Sequence, residues 1–359
     1  MDFGLSEEQR MLQETMRSFV LNECPTSRLR EIFDEGSGHD PAIWRALVEM
    51  GIAGLVVPED QGGAGLELLD LALVAEVFGE AAMPGPFLAH SLATLGVQFA
   101  ASDEVAERIL PGLASGEQTA TIAFQEGERG WAPRDWTVRL KGDRISGVKH
   151  VVTHAAIADR LLVGLAGGRL AWVDARAEGI DIVEENGIDR TRPFATIRFV
   201  DVPAELLSRD EHAAERLVDA ASVLLSADAF GAASKLIELD VAYAQTREQF
   251  GQPIGQFQAI KHTIARLGTE IEPARALWWQ AAYALDHLPL EASRTASMAK
   301  AHIVDRAMTT ARESVELHGG YGFTWECEVQ IWFKRIMFDR AFLGTPEEHR
   351  ERCAELADW

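Results

Sequence analysis

At 359 residues, the chain is long enough for two or three domains of roughly 100–200 residues, each able to bury a core of its own. Its 47% hydrophobic and 25% charged residues exclude a disordered chain and a fibrous repeat, and no apolar run reaches the roughly 20 residues of a membrane span. With 34 basic against 56 acidic residues, a net charge of −22 excludes the basic footprint that non-specific nucleic-acid binding needs.

The first segment, residues 1–118, predicts helices. Residues 1–8 lack the basic flank and apolar stretch of a signal peptide, so a cytoplasmic location is expected. Ser6 and Gln9 form a capping-box pattern that opens a helix carrying Leu12, Met16, Phe19 and Val20 on one face, and Cys24-Pro25 ends it. Asp40-Pro41 starts a second helix as cap and first-turn proline. Residues 58–65 hold three glycines without periodicity, which predicts a loop. Helical spacing resumes over 66–78, and another helix is expected over 103–113. From Thr119 the period changes to two: Trp136, Val138 and Leu140 alternate with polar residues, short apolar runs follow up to Val200, and Gly167-Gly168 marks a hairpin. A β domain, sandwich or barrel-like, is expected over 119–206. The third segment, 207–359, predicts long helices over 211–245, 257–287 and 290–317 and a fourth from Trp325, forming an antiparallel bundle.

Charge is uneven across these segments, at −14, −1 and −7 in turn. Phosphate-binding positive charge must therefore come mainly from arginines of the last two, such as Arg129, Arg134 and Arg335. Cys24, Cys327 and Cys353 form no C-x-x-C pair and are expected to be free thiols, with no metal site.

Two stretches carry specific chemistry. Arg247 to Gln258 (REQFGQPIGQFQ) places an arginine, a glycine turn and a proline between two long helices, suited to bidentate phosphate recognition; by itself it is equally a plain helix connector. His318 to Glu326 (HGGYGFTWE) holds two glycines whose amides can approach a pyrophosphate, or simply a helix C-cap.

Together these stretches resemble the acyl-CoA dehydrogenase family, whose signatures R-x-Q-F-G-x-P-I-x-x-F-Q and G-G-x-G-[FY] they match. Residues 58–63 (PEDQGG) resemble the loop of the family's N-terminal domain, and residues 147–153 (GVKHVVT) its G-x-K-x-x-I-T strand. The T-W-E extension is similar to members from bacterial steroid and bile-acid side-chain catabolism. The resemblance implies an α+β fold of N-terminal helical domain, middle β domain and C-terminal four-helix bundle, with FAD between the β domain and the bundle. By the same resemblance, Arg247, Phe250, Gly319 and Gly320 contact the adenosine-diphosphate half of a flavin on a neighbouring subunit, and Gln249, Ile254, Phe257 and Gln258 line that groove. Glu316 stands where the family has Gln, Thr153 matches a threonine beside the flavin ring with Val151 replacing an aromatic residue, and Thr345 closes the family's E-G-T triplet.

The implied reaction is α,β-desaturation of an acyl-CoA, in which a carboxylate removes the α proton and the β hydrogen leaves as hydride. That carboxylate is missing: the E-G-T position is Leu343, and the alternative position on the first bundle helix is Ala221. The T-E-P-x-x-G-S-D loop that packs on the flavin ring has become residues 125–131 (QEGERGW). Asp219, Asp228 and Glu326 are the remaining candidate bases. The expectation is therefore a subunit of an α2β2 dehydrogenase whose partner supplies the base. A homo-oligomer with a non-standard base and a non-catalytic flavin- or CoA-binding homologue are the alternatives, and an electron-transfer flavoprotein is the expected acceptor.

Overall fold

A computed structural model describes residues 4–127, 130–207 and 210–357. Helices α1 (Glu7–Glu23), α2 (Thr26–Glu35), α3 (Pro41–Glu49), α4 (Leu68–Glu80), α5 (Phe87–Ala100) and α6 (Asp103–Ala114) precede eight strands, β1 (Ala120–Ala123) to β8 (Glu205–Leu207). Then follow α7 (Ala213–Thr246), a two-strand hairpin of β9 (Glu248–Gln249) and β10 (Gln252–Pro253), and helices α8 (Gln258–Ile271), α9 (Arg275–His287), α10 (Pro289–Leu317), α11 (Val329–Ala341) and α12 (Pro346–Leu356). The Ser6–Gln9 capping box is formed, and the Asp40 carboxylate caps α3. Two helices depart from the sequence expectation. Helix α1 ends at Cys24-Pro25 as expected, but a further helix, α2, follows at once from Thr26, with Pro25 at its start, a position where its missing amide removes no intrahelical bond. Residues 257–287 form two helices, α8 and α9, with Pro273 in the 3-10 turn between them.

Packing groups the chain into two compact units that cut across the three sequence segments: Met1–Glu31 with Ala72–Met83 and Ser222–Trp359, and Ile32–Leu71 with Pro84–Ala221. In the first, α1 and the end of α4 join the C-terminal helices. A Cβ on Gly231 of α7 would lie 2.0 Å from the Glu76 carbonyl, and one on Gly79 of α4 2.0 Å from the Asp228 carbonyl, so these glycines let the two helix backbones meet. The buried Glu76 carboxylate is bound by Gln13 Nε2 at 2.7 Å and by Arg275. Those bonds tie α1 and α9 to α4.

In the second unit, two four-stranded sheets, ordered β1-β4-β5-β8 and β2-β3-β7-β6, share one apolar core. Strands β2 (Arg139–Lys141), β3 (Arg144–Thr153), β4 (Arg160–Leu165), β5 (Arg169–Asp174), β6 (Ile180–Glu185) and β7 (Phe194–Pro203) pair antiparallel to their neighbours, while β1 and β4 are parallel. Leu161, Val163 and Val173 of one sheet meet Ile145, Ile197 and Phe199 of the other in that core, as alternation in a sandwich requires. Among the described residues, α7 is the one helix long and apolar enough to cross a membrane, and 94% of its most apolar window is buried inside the protein. It is a core helix by that measure.

Candidate functional site

In the helical unit, the stretch after α7 folds into a tight hairpin that pairs Gln249 with Gln252 and Glu248 with Pro253. Its turn residues, Phe250 (φ +53) and Gly251 (φ +80), are both left-handed, as a two-residue primed turn demands. For a bulky side chain that conformation is costly, and the Phe250 ring gains little from the chain in return: it is 92% exposed, meeting Phe257 edge-on at 6.1 Å. Arg247 is held through its backbone, by Tyr243 and Ile254 at 2.8 Å each, while its exposed guanidinium has no ion-pair partner among the described residues. Gln249 donates to its neighbour's carbonyl at 2.7 Å, Ile254 and Phe257 are half-buried, and Gln258 is exposed at the start of α8.

The glycine stretch ends α10. Gly319 takes φ +58, which explains glycine there. Gly320 has no positive φ, and a Cβ added to it would meet no atom within 4 Å, so nothing in the chain's own packing calls for glycine. Gly322 differs, since its Cβ would sit 2.2 Å from the Val315 carbonyl. This yields a paired prediction. Gly322→Ala is expected to cost about 1–3 kcal/mol of stability through overpacking, read as a lowered urea midpoint. Gly320→Ala is expected to leave stability within about 0.5 kcal/mol and to weaken only a ligand that approaches the turn amides. Glu316 is exposed beside this turn, and Tyr321, Phe323 and Trp325 expose 48%, 73% and 44% of their surface.

The corner at residues 342–345 is braced on several sides and lacks its acid. Leu343 is buried with φ +57; its carbonyl accepts from His349 Nε2 at 3.0 Å, and the Phe342 carbonyl accepts from the buried Lys300 at 3.1 Å. Burial, with the Lys300 charge nearby, pushes His349 down to about 3, so its neutral ring donates from Nε2. Thr345 caps α12, its hydroxyl accepting from the Glu348 amide at 3.3 Å.

The remaining base candidates part company. Asp228 is engaged on both oxygens by Arg335, at 2.8 and 2.7 Å, with both side chains nearly inaccessible. An ion-paired carboxylate locked this way is an anchor, not a free base, and Arg335 is correspondingly unavailable to offset phosphates. Glu326 is exposed, and it is its backbone carbonyl that accepts from Tyr321 and Arg30. Asp219 is buried at 1% exposure in the sheet-containing unit.

In that unit, Thr153 ends β3, buried, and its carbonyl accepts the Thr121 hydroxyl at 2.7 Å. Two residues earlier the β3–β7 register breaks, and Val151 takes φ +50. A β-branched residue in that region is strained, and strain is held at the position where the resemblance puts an aromatic residue. The loop from Gln125 is tethered by Glu126, which accepts from the Thr137 and Val138 amides and from the buried Lys149 at 2.5 Å. Burial pushes the Lys149 ammonium down to about 8, with Glu126 opposing that shift. Glu128 and Arg129 of this loop lie outside the described residues. The sequence reading missed this Lys149–Glu126 tether, which joins a strand that carries the resemblance to the loop that departs from it.

The order of elements has known counterparts. The family described as acyl-CoA dehydrogenase, N-terminal domain, matches residues 6–117, and that described as acyl-CoA dehydrogenase, C-terminal domain, matches residues 212–357. The chain belongs to the acyl-CoA dehydrogenase family. It is 31% identical to the acyl-CoA dehydrogenase IpdE2 of Mycolicibacterium smegmatis over 97% of this chain and 98% of that protein. It is 31% identical to the acyl-CoA dehydrogenase FadE34 of Mycobacterium tuberculosis over 98% of this chain but 48% of FadE34, so it spans about half of that relative. Among solved structures, a variant of the Tcur3481–Tcur3483 steroid ACAD matches with a TM-score of 0.90 at 30% identity, covering 98% of each chain.

As an acyl-CoA dehydrogenase family member, the chain falls among the oxidoreductases that act on the CH–CH bond of acyl-CoA, with FAD as cofactor. Its residues fit a dinucleotide. The unpaired Arg247 guanidinium suits a diphosphate, the solvent-facing Phe250 ring offers a surface for stacking, and the open backbone at Gly319 and Gly320 leaves turn amides accessible.

Proposed function

We propose that this chain is one subunit of a heteromeric acyl-CoA dehydrogenase, lending Arg247, Phe250 and the Gly319–Gly320 turn to an FAD held jointly with a partner subunit that carries the base. The observation that carries this reading is the corner at Leu343. Its framework of Lys300, His349 and the Thr345 cap is intact, yet an isobutyl group stands where the family's carboxylate belongs. Asp228 is committed to Arg335, which removes one of the two candidate substitutes on α7. A chain that keeps its nucleotide contacts while losing its base is what a donor of half a site should look like. FadE34, in which a chain of this kind accounts for about half the length, supports the pairing of two such chains.

In this reading Arg247 neutralises diphosphate charge, the turn amides donate to its oxygens, and Phe250 covers the ring next to them, with Gln249, Ile254, Phe257 and Gln258 as flanking contacts. The chemistry FAD supplies is acceptance of the β hydrogen as hydride, and an electron-transfer flavoprotein is the proposed acceptor of those electrons. The substrate class is an acyl-CoA with a bulky ring system, supported by the steroid ACAD likeness.

The test is the flavin-to-protein ratio and oligomer mass of the chain expressed alone and with a second acyl-CoA dehydrogenase subunit encoded beside it. Colourless protein alone, and flavin with acyl-CoA turnover only in the pair, is the expected result. One flavin per chain in a catalytically active homo-oligomer would overturn the heteromeric reading and move the search for a base to Asp219. Tight flavin binding without turnover in any pairing would mark a non-catalytic homologue.

A further inference from the structure

A buried polar cluster beneath the glycine turn has no part in the roles above. Asp240, on α7, is 1% exposed. Its Oδ2 accepts the Ser314 hydroxyl at 2.8 Å, and its Oδ1 lies 3.5 Å from His318 Nδ1 and accepts no hydrogen bond among the described residues. Nδ1 is also 2.8 Å from the Ser314 carbonyl. A carbonyl can only accept, so the imidazole proton sits on Nδ1. One turn further along α7, the Tyr243 ring stacks on His318 with centroids 4.1 Å apart, and its hydroxyl donates to the His318 carbonyl at 3.5 Å. The Tyr243 carbonyl in turn accepts the Arg247 amide at 2.8 Å. Contacts therefore run from Arg247 through Tyr243 to His318, the residue before Gly319, and Asp240 and Ser314 lie against the same His318.

We propose that Asp240 is a positioning residue for the cofactor's diphosphate: with Ser314 and His318 it fastens the glycine turn to the end of α7 and fixes the placement of Arg247 relative to the Gly319 and Gly320 amides. This rests on the reading that those two segments contact FAD. Asp240 also governs the charge beneath the turn. Burial pushes its carboxyl up to about 7 against the pull of the Ser314 hydroxyl, and Glu313 adds to the rise. The other titratable groups facing it are His318, which burial pushes down, and the Cys327 thiol, which burial, Glu328 and Asp240 itself push up. None of these supplies a cation at neutral pH. Below about pH 7 the Asp240 carboxyl is uncharged and compatible with a nearby diphosphate; above it, a buried anion appears under the same turn.

The experiment is FAD binding by the full chain in the assembly it forms, followed by flavin fluorescence between about pH 6 and pH 8.5. Affinity is expected to fall about fivefold as pH rises through 7. Asp240→Asn is expected to flatten that profile, and Ser314→Ala, which removes the bond that holds the carboxyl down, to move its midpoint to higher pH. A midpoint unmoved in Ser314→Ala, or a fall that persists unchanged in folded Asp240→Asn, overturns the proposal. Arg247→Ala separates the layers. If it binds FAD like the wild type, the contact reading fails; if it loses FAD while the Asp240 and Ser314 variants keep the wild-type profile, the positioning role alone fails.

Discussion

Asp228→Ala is expected to lower stability by about 3–5 kcal/mol, because it leaves the Arg335 guanidinium buried without this counter-charge. Both ends of the pair are almost fully enclosed, and the bond that Arg335 also donates to the Met83 carbonyl at 3.1 Å brings no negative charge in its place. Removing both charges is a different perturbation. Asp228→Leu combined with Arg335→Met substitutes apolar groups for the whole pair and is expected to recover most of the loss, short of about 1–3 kcal/mol for the Met83 carbonyl left unsatisfied. Urea unfolding measures both. The same double variant decides between an anchor and a base: a structural Asp228 predicts that the refolded assembly retains flavin and turns over acyl-CoA within about threefold of wild type. A folded, flavin-loaded but inactive double variant would return Asp228 to catalysis.

What the sequence disclosed follows the range of the interactions involved. The order of helices, strands and helices was legible because amphipathic periodicity is local, and the turn at Gly251 was legible because a left-handed turn needs its glycine nearby, though the two-strand pairing around it was not. Helix α5 was not anticipated, and its burial explains why: Leu92, Ala93 and Val97 are fully enclosed, and His90, Ser91 and Thr94 are buried too, so it has no polar face to generate a period. Polar residues inside it are accommodated by specific bonds, such as the His90 ring to the Leu113 carbonyl at 3.1 Å. The apolar stripe marks the long bundle helices but not the break at Pro273, since a proline near a helix junction removes one bond without erasing the stripe on either side. Among site residues, the arginine corner and the glycine turn are continuous stretches whose backbone demands show in their own composition. The Asp228–Arg335 pair joins residues 107 apart in sequence and the Asp240–Ser314 bond residues 74 apart. No local pattern encodes such partners, and an acid on a helix reads as a candidate base until its counter-charge is located.

Lys149→Met is the companion test in the sheet-containing unit, and its signature lies in pH as well as magnitude. Lys149 is fully buried, donating to the Phe124 carbonyl at 3.1 Å and to Glu126 at 2.5 Å. Burial tends to raise the Glu126 carboxyl, but Lys149, Thr137 and Val138 together hold it below the ordinary range. Removing the ammonium is expected to cost about 3 kcal/mol at pH 7, toward the lower end for a broken buried pair because the Thr137 and Val138 donors remain. In the wild type the folded state gives up the Lys149 proton near pH 8, whereas the unfolded chain holds it until about 10.5. Between those values the unfolded state binds more protons, so this group's contribution to stability rises with pH. Lys149→Met abolishes that rise, and its deficit relative to wild type is therefore expected to widen from about pH 8 to pH 10 in urea titrations. A deficit that stays constant would mean that the ammonium is as well solvated by its partners in the fold as by water. The attraction of Glu126 and the Phe124 carbonyl would then offset the whole cost of burying the charge, and the ion pair would hold the start of the 125–131 loop without a desolvation penalty.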